Sequence, residues 1–250
     1  MEKTKGMRAY LLVSENAIRY CTGREGRILL TGRVGRSENI SEVLRAVPGL
    51  FPESGSPEGV CLLPDTDRVC LVPRAWFERE DAGRYLAVGG MNVAPDDELV
   101  VSEPVGGIVA AMYVGTETWR RTRELFPGAS VVHPLQVSAA WRRSSKPAVE
   151  AFLCGGSVHL TAFSGDGLLC ARVQPCRCDA DLLYYLNRLR VEYPHLRFRI
   201  GICGKGAPDA VKAAAHYFPR VSRLRVSSRG VSGDEAAEIL PLIRMCHENY

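Results

Sequence analysis

The sequence predicts an α/β fold made of two copies of one unit, each a meander of strands continued by alternating helices and strands. Three observations predict it. Along the 250-residue chain the hydrophobic period changes from two to roughly 3.6 residues in the same order twice. An offset of 141 residues superposes Gly26 on Gly167 and Ile28 on Leu169, at the second turn of each meander. With 46% hydrophobic and 24% charged residues the chain is ordinary globular material, able to bury about 70 to 75% of its unfolded surface.

The first unit opens with strands at 9–13, 17–21 and 28–30, the second turn bounded by Gly23 and Gly26. Ile40, Val43, Leu44 and Val47 then follow helical spacing, with Asn39 as the cap, Glu42 three residues on, and Pro48-Gly49 as the stop. Short strands at 60–63 and 69–72 are each closed by a proline, at 64 and 73. Residues 108–114 are a continuous apolar run of strand length, after which Thr116 caps a helix carrying Trp119, Leu125 and Phe126 on its face. Val131-Val132-His133 reads as a buried strand, and Pro134 opens the helix that carries Leu135, Ala139 and Trp141. The polar stretch Arg142 to Pro147 is the expected boundary, giving halves 1–146 and 147–250.

The second half opens with strands at 149–153, 158–163 and 168–173, joined at Gly155-Gly156 and at Ser164-Gly165-Asp166-Gly167, an Asp-Gly hairpin signal. A helix capped by Asp179 presents Leu182, Tyr185, Leu186 and Leu189 on one face. A strand at 198–203, a helix at 208–218 and a strand at 221–226 follow. Ser232 and Glu235 form a capping box for the last helix, which carries Ile239, Ile243 and Cys246; Pro241 predicts a break near Leu240.

Composition narrows the function classes. The net charge is +4, spread evenly, with 19 basic and 18 acidic residues in 1–146 and 13 and 10 in the remainder, so nothing demands a polyanionic partner. The uncharged run at 104–116 has 13 residues and three glycines, short of the ~20 needed for a membrane span. The first thirteen residues lack the pattern of a signal peptide, so a cytoplasmic chain without membrane insertion is expected. Of nine cysteines, Cys61, Cys70, Cys154, Cys170 and Cys203 lie inside apolar strand-like runs, where reduced thiols act as small hydrophobes. Cys176-Arg177-Cys178 lacks the second pair that a zinc site needs, and the five histidines are scattered, so no metal site is expected. His133, after two valines and before a helix, reads as a hydrogen-bonded structural histidine.

Strand, strand, strand, helix, strand, helix, strand, helix, read twice, resembles the duplicated ribonuclease H-like plan of actin, sugar kinases and Hsp70-type ATPases. The chain also resembles a bacterial group, domain-of-unknown-function family 3822. The resembling stretches are Arg68-Val69-Cys70-Leu71-Val72-Pro73 with Trp76-Phe77, Leu125-Phe126-Pro127 leading to Val131-Val132-His133-Pro134, and Asp181-Leu182-Leu183-Tyr184-Tyr185-Leu186. With their surroundings they run from about residue 58 to 226. The resemblance implies an actin-like ATPase fold without an established activity.

Actin-like ATPases place an Asp-x-Gly turn between the first two strands of each half, so the resemblance implies phosphate and magnesium sites there. The first turn here is Ser14-Glu15-Asn16, without Asp or Gly. The second, Cys154-Gly155-Gly156-Ser157, keeps the glycines and replaces the carboxylate with a thiol. Gly204-Lys205-Gly206 stands where the adenosine-side loop belongs, although it is not a Walker-type phosphate loop. Candidate nucleotide contacts are therefore Gly155, Gly156, Ser157, Gly204, Lys205 and Gly206; ATP and magnesium are the candidate ligands, and no catalytic residue is assigned.

A second candidate is electrostatic. Residues 190–229 hold nine basic and two acidic side chains. On two strands Arg197 and Arg199, and Arg223 and Arg225, are expected to share a face that could engage an anionic partner. Two readings follow. The preferred one is a non-catalytic or degenerate actin-like scaffold that binds another protein or an anionic macromolecule, similar in principle to the actin-like assembly proteins of pilus and secretion systems. The alternative is an ATP-binding enzyme of the actin, Hsp70 and sugar-kinase superfamily using the interdomain cleft.

Overall fold

The computed structural model describes residues 8–24, 27–35, 38–46, 59–141, 146–165, 167–224, 226–228 and 231–247. The meander at the start forms β1 (Arg8–Val13), β2 (Ala17–Arg24) and β3 (Arg27–Gly35), antiparallel in succession. Helix α1 (Ile40–Ala46) begins where expected, with the Glu42 amide donating to Asn39 Oδ1 at 3.3 Å. The chain returns as β4 (Val60–Pro64), parallel to β1, and later as β8 (Ser130–Val131), parallel to β4. The sheet order is β3-β2-β1-β4-β8.

Between β4 and β8 the sequence expectation needs amending. Strand β5 (Val69–Pro73) is followed by α2 (Ala82–Val88), β6 (Glu98–Val101) and β7 (Ile108–Val114), and the three strands form a separate antiparallel sheet, β5-β7-β6. Strand β6 was not expected, because four residues beginning with Glu98 carry too little alternation to signal one. Helix α3 (Glu117–Leu125), with its Trp119 amide donating to Thr116 Oγ1 at 3.2 Å, then leads to β8 and to α4 (Pro134–Ala140).

The second copy repeats the main sheet. Strands β9 (Ala148–Cys154), β10 (Ser157–Ser164) and β11 (Gly167–Pro175) form its meander, and α5 (Asp179–Glu192) leads to β12 (Arg199–Gly204), α6 (Ala207–Ala215) and β13 (Val221–Arg223). The order is β11-β10-β9-β12-β13, the same as in the first sheet. A ribbon of Ser227–Ser228 and Val231–Ser232 precedes α7 (Gly233–Glu238) and α8 (Leu240–His247), which break at Ile239, just before Pro241. Asp179 is not the cap of α5: Cys178 holds that position, and its amide and that of Arg177 donate to Asp181 Oδ2 at 3.2 and 2.8 Å.

Both faces of β1 are covered, which is why it reads as an unbroken apolar run. Leu11 and Val13 join Trp119 and Phe126 in one core, while Tyr10 and Leu12 join Phe152, Cys203, Leu242 and Ile243 in another that both sheets share. The middle layer is a pair of helices. Helix α4 packs on β10 and β11 of the second sheet, α8 packs on β1, β2 and β3 of the first, and the two touch each other. Arg244 of α8 ties this layer to β9 by donating to both carboxylate oxygens of Glu150 at 2.6 Å. The expected boundary falls largely at 142–145, outside the described residues. No helix among the described residues is long and apolar enough to cross a membrane.

Candidate functional site

The parallel order of β1 and β9 at the centres of the two sheets brings their following turns face to face. In the first turn Ser14 folds back, its amide and hydroxyl donating to Ala17 O at 3.0 and 2.8 Å, and Thr118 of α3 donates to Glu15 O at 2.8 Å. The Glu15 carboxylate is exposed. In the second turn Gly155 and Gly156 have φ of 58° and 92°, a region that disfavours other residues. Ser157 Oγ donates to Cys154 O at 2.8 Å. A Cβ on Gly155 would lie 3.1 Å from Asp65 Oδ2 and 3.8 Å from Ser14 Cβ, so the two turns abut.

Asp65 follows β4, and its amide donates to Val13 O at 2.8 Å. Its Oδ1 lies 2.7 Å from His159 Nε2 on β10, which joins the halves through a buried acid–imidazole pair. His133 stacks on His159 with centroids 5.7 Å apart. Its Nδ1 accepts from the Leu135 amide at 3.0 Å, which leaves Nε2 to donate to Thr66 O at 3.1 Å, the pattern of a neutral ring. Burial, and then the neighbouring charge of His159, push the His133 pKa down to about 3. Burial raises the Asp65 pKa, but hydrogen bonds from His159 and Cys154 and the charge of His159 outweigh it, and the carboxyl ends below its usual value. Burial first, and the Asp65 charge second, hold the Cys154 thiol well above its ordinary pKa. Asp65, His133 and His159 form a buried seam that does not line the neighbouring cleft, whereas Cys154 does.

Beside the seam is a cleft of about 390 Å³. It brings together five of the six candidate nucleotide contacts: Gly155, Gly156, Ser157, Lys205 and Gly206. Gly204 is not among its lining residues. It lies against β9, where a Cβ would fall 2.1 Å from Leu153 O, so its glycine serves strand packing. Arg19, Arg33 and Arg177 also line the cleft. Sequence reasoning missed these three: Arg19 and Arg33 are cross-strand partners and share a face, but the expected third strand, 28–30, stops short of Arg33. Arg19 is paired with Glu238 at 3.1 Å. Asp179 is the one carboxylate lining the cleft among the described residues. The amides of Arg177 and Cys178, just before α5, are taken up by Asp181, whereas α6 has Gly206 at its N-cap and no side-chain cap.

The arrangement is suited to holding an anion and poorly suited to magnesium-assisted hydrolysis. Neither turn aims a carboxylate into the cleft, and Asp65 is closed off against His159. Among the described residues no group of three or more His, Cys, Asp or Glu side chains is placed to hold a metal ion. The residues therefore do not fit a hydrolytic magnesium-nucleotide centre.

Of the four arginines expected on one basic face, the three that are described are dispersed. Arg197 lines a hollow at the other end of α5, whereas Arg199 lines a separate one of about 220 Å³ beside Trp141 and Arg244. Arg223 is ion-paired with Asp234 of α7. Arg225 lies outside the described residues. Residues two apart share a face only within a strand, and Arg197 precedes the start of β12.

The chain matches no protein-family model and no curated protein. Solved structures do resemble it. A Bacteroides thetaiotaomicron VPI-5482 protein with an actin-like ATPase fold and unknown function superposes with a TM-score of 0.73 at 14% identity, covering 96% of each chain. A chain of the PilM-PilN type IV pilus biogenesis complex gives 0.61 at 13% identity, covering 96% of this chain and 98% of that one. The fold is thus the duplicated ribonuclease H-like, actin-like ATPase fold, with two mixed sheets flanked by helices.

Proposed function

We propose that this protein is a non-hydrolysing scaffold of the actin-like fold, divided near residues 142–147, that works by binding another macromolecule. One observation carries the reading: the two turns that would flank a γ-phosphate and its magnesium abut at Gly155, Asp65 and Ser14 without offering a carboxylate to the cleft. The PilM-PilN complex supports it as an example of this fold in a protein assembly. Kinship with domain-of-unknown-function family 3822 is part of the proposal and rests on the sequence motifs.

The test is phosphate release from magnesium-ATP by the purified chain. The expected rate is indistinguishable from buffer, with Glu15→Ala making no difference. Magnesium-dependent release that disappears in Glu15→Ala overturns the reading. A second reading, retention of a nucleotide in the cleft, is favoured by Arg33, Arg177 and Lys205 around it. Calorimetric titration with magnesium-ATP tests it: binding lost in Arg177→Ala and Lys205→Ala supports nucleotide retention, and absence of binding removes it.

A further inference from the structure

A second concavity lies at the far ends of α5 and α6 from the cleft and holds about 370 Å³, within the range of sites that enclose small ligands or anchor side chains. Its floor is the edge of the second core. Leu186, Leu189, Ile200 and Phe218 are each less than a tenth exposed and line it, between the connections that follow α5 and α6. Phe198 completes the floor, and Tyr217, 64% exposed, extends its margin.

The charged residues of the rim are all cationic. Arg190, Arg197 and Arg220 line it, and no carboxylate does so among the described residues. Arg190 is fixed in place, its guanidinium 5.6 Å from the centroid of Phe218 and its Nη2 donating to Asn187 at 2.6 Å. Arg197 and Arg220 have no side-chain hydrogen bond or ion pair among the described residues. Glu192, the acid nearest in sequence, is engaged by Arg172 at 3.1 Å and Arg188 at 3.5 Å. The C-terminal ends of α5 and α6 add partial negative charge at this end, so any attraction for an anion comes from the arginines alone.

Three like charges around an apolar floor, without a counter-ion, are complementary to a ligand that brings both carboxylates and an apolar group. We propose that the hollow docks a short acidic segment of a partner protein. One bulky apolar side chain sits over Phe198 and Phe218, and flanking carboxylates pair bidentately with Arg197 and Arg220. A nucleic acid fits less well. Its phosphates need a continued basic track, and along α5 that track is neutralised where Glu192 pairs with Arg172 and Arg188. The proposal rests on the scaffold reading and locates its partner surface.

The probe is a fluorescein-labelled peptide, Asp-Glu-Asp-Trp-Leu-Glu-Asp-Glu, titrated into the full chain by anisotropy. Saturable binding is expected, with affinity falling about tenfold or more in Arg197→Glu/Arg220→Glu, in Phe198→Ala, and on raising salt. The milder Arg197→Gln/Arg220→Gln variant, with unchanged circular dichroism, guards against misfolding and is expected to lose affinity in the same direction. Leucine methyl resonances of Leu186, Leu189 and Leu196 should shift on binding, while that of Leu153 at the cleft should not. Undiminished binding by both double variants, equal binding of a peptide with lysine at every acidic position, tighter binding of a single-stranded oligonucleotide, shifts confined to Leu153, or no binding at millimolar peptide would each overturn the proposal. Phosphate release reads the cleft independently, so failure here leaves the scaffold reading standing, and ATP turnover would sink that reading without altering the result at this hollow.

Discussion

His133 shows how one ring ties sequence position to pH behaviour. It caps α4 through Nδ1 and donates through Nε2 to Thr66, so a proton added at Nδ1 would break the cap inside a fully buried site. Its folded pKa of about 3 lies below the unfolded value of 6.5. The unfolded chain therefore binds this proton first, and stability falls as pH drops from about 6.5 toward 3, by up to about 1.4 kcal/mol per pH unit. Asp65, with its pKa also depressed, acts with the same sign at lower pH: its contribution is present above the ordinary carboxylate range and is lost as pH falls through its folded value. Urea unfolding of His133→Asn, which keeps a capping oxygen, is expected to show a flatter profile between pH 6.5 and about 4 than the parent. An unchanged slope would remove His133 as the origin. The sequence placed His133 before a helix and suggested a structural role. Its partner His159 was not legible, because nothing in a chain marks a contact between Asp65 and a histidine 94 residues away.

At the level of elements, local signals were read well and pairings between distant elements were not. Both meanders, the caps at Asn39 and Thr116, and the break before Pro241 follow from spacing and capping chemistry. The separate sheet of β5, β6 and β7 was hidden because a run such as 108–114 states that it is buried and extended but not which strand lies beside it. Glycines that look alike in sequence also separate here. Gly204, at φ 99° against Leu153 O, and Gly206, at φ 81° with nothing within 4 Å of its would-be Cβ, stand two residues apart. Gly204→Ala combines overpacking with backbone strain, about 3 kcal/mol together, and is expected to lower Tm by about 6–12 °C. Gly206→Ala adds strain only, about 1 kcal/mol, and should lower Tm by about 2–4 °C. Equal shifts in differential scanning calorimetry would contradict the packing role of Gly204.

Across the whole molecule, the shared core predicts that two similar sheets unfold together. Tyr10 and Leu12 of the first sheet, Phe152 and Cys203 of the second, and Leu242 and Ile243 of α8 belong to one apolar cluster, and Arg244 joins α8 to Glu150. Urea transitions followed by tryptophan fluorescence and by far-ultraviolet circular dichroism should therefore coincide. The Arg244 side chain is only 2% exposed, so Glu150→Ala strands a buried charge and is expected to cost about 3–5 kcal/mol, moving both probes alike. Two resolved transitions, or a shift in one probe only, would refute a single cooperative unit. None of this was readable from the repeated strand order, which describes each sheet but not the helix that covers it.

The exchange of helices in the middle layer has a consequence for any attempt to divide the chain. Helix α4 comes from the first stretch of sequence and lies on β10 and β11, whereas α8 ends the second stretch and lies on β1, β2 and β3. Cut in the segment 142–145, the amino-terminal fragment would carry a helix that belongs on its sibling and leave one face of its own sheet bare, and the carboxy-terminal fragment would do the converse. Each piece is the other's missing cover. Mixed together the two should reconstitute one particle in trans, while either alone should aggregate through its uncovered strands.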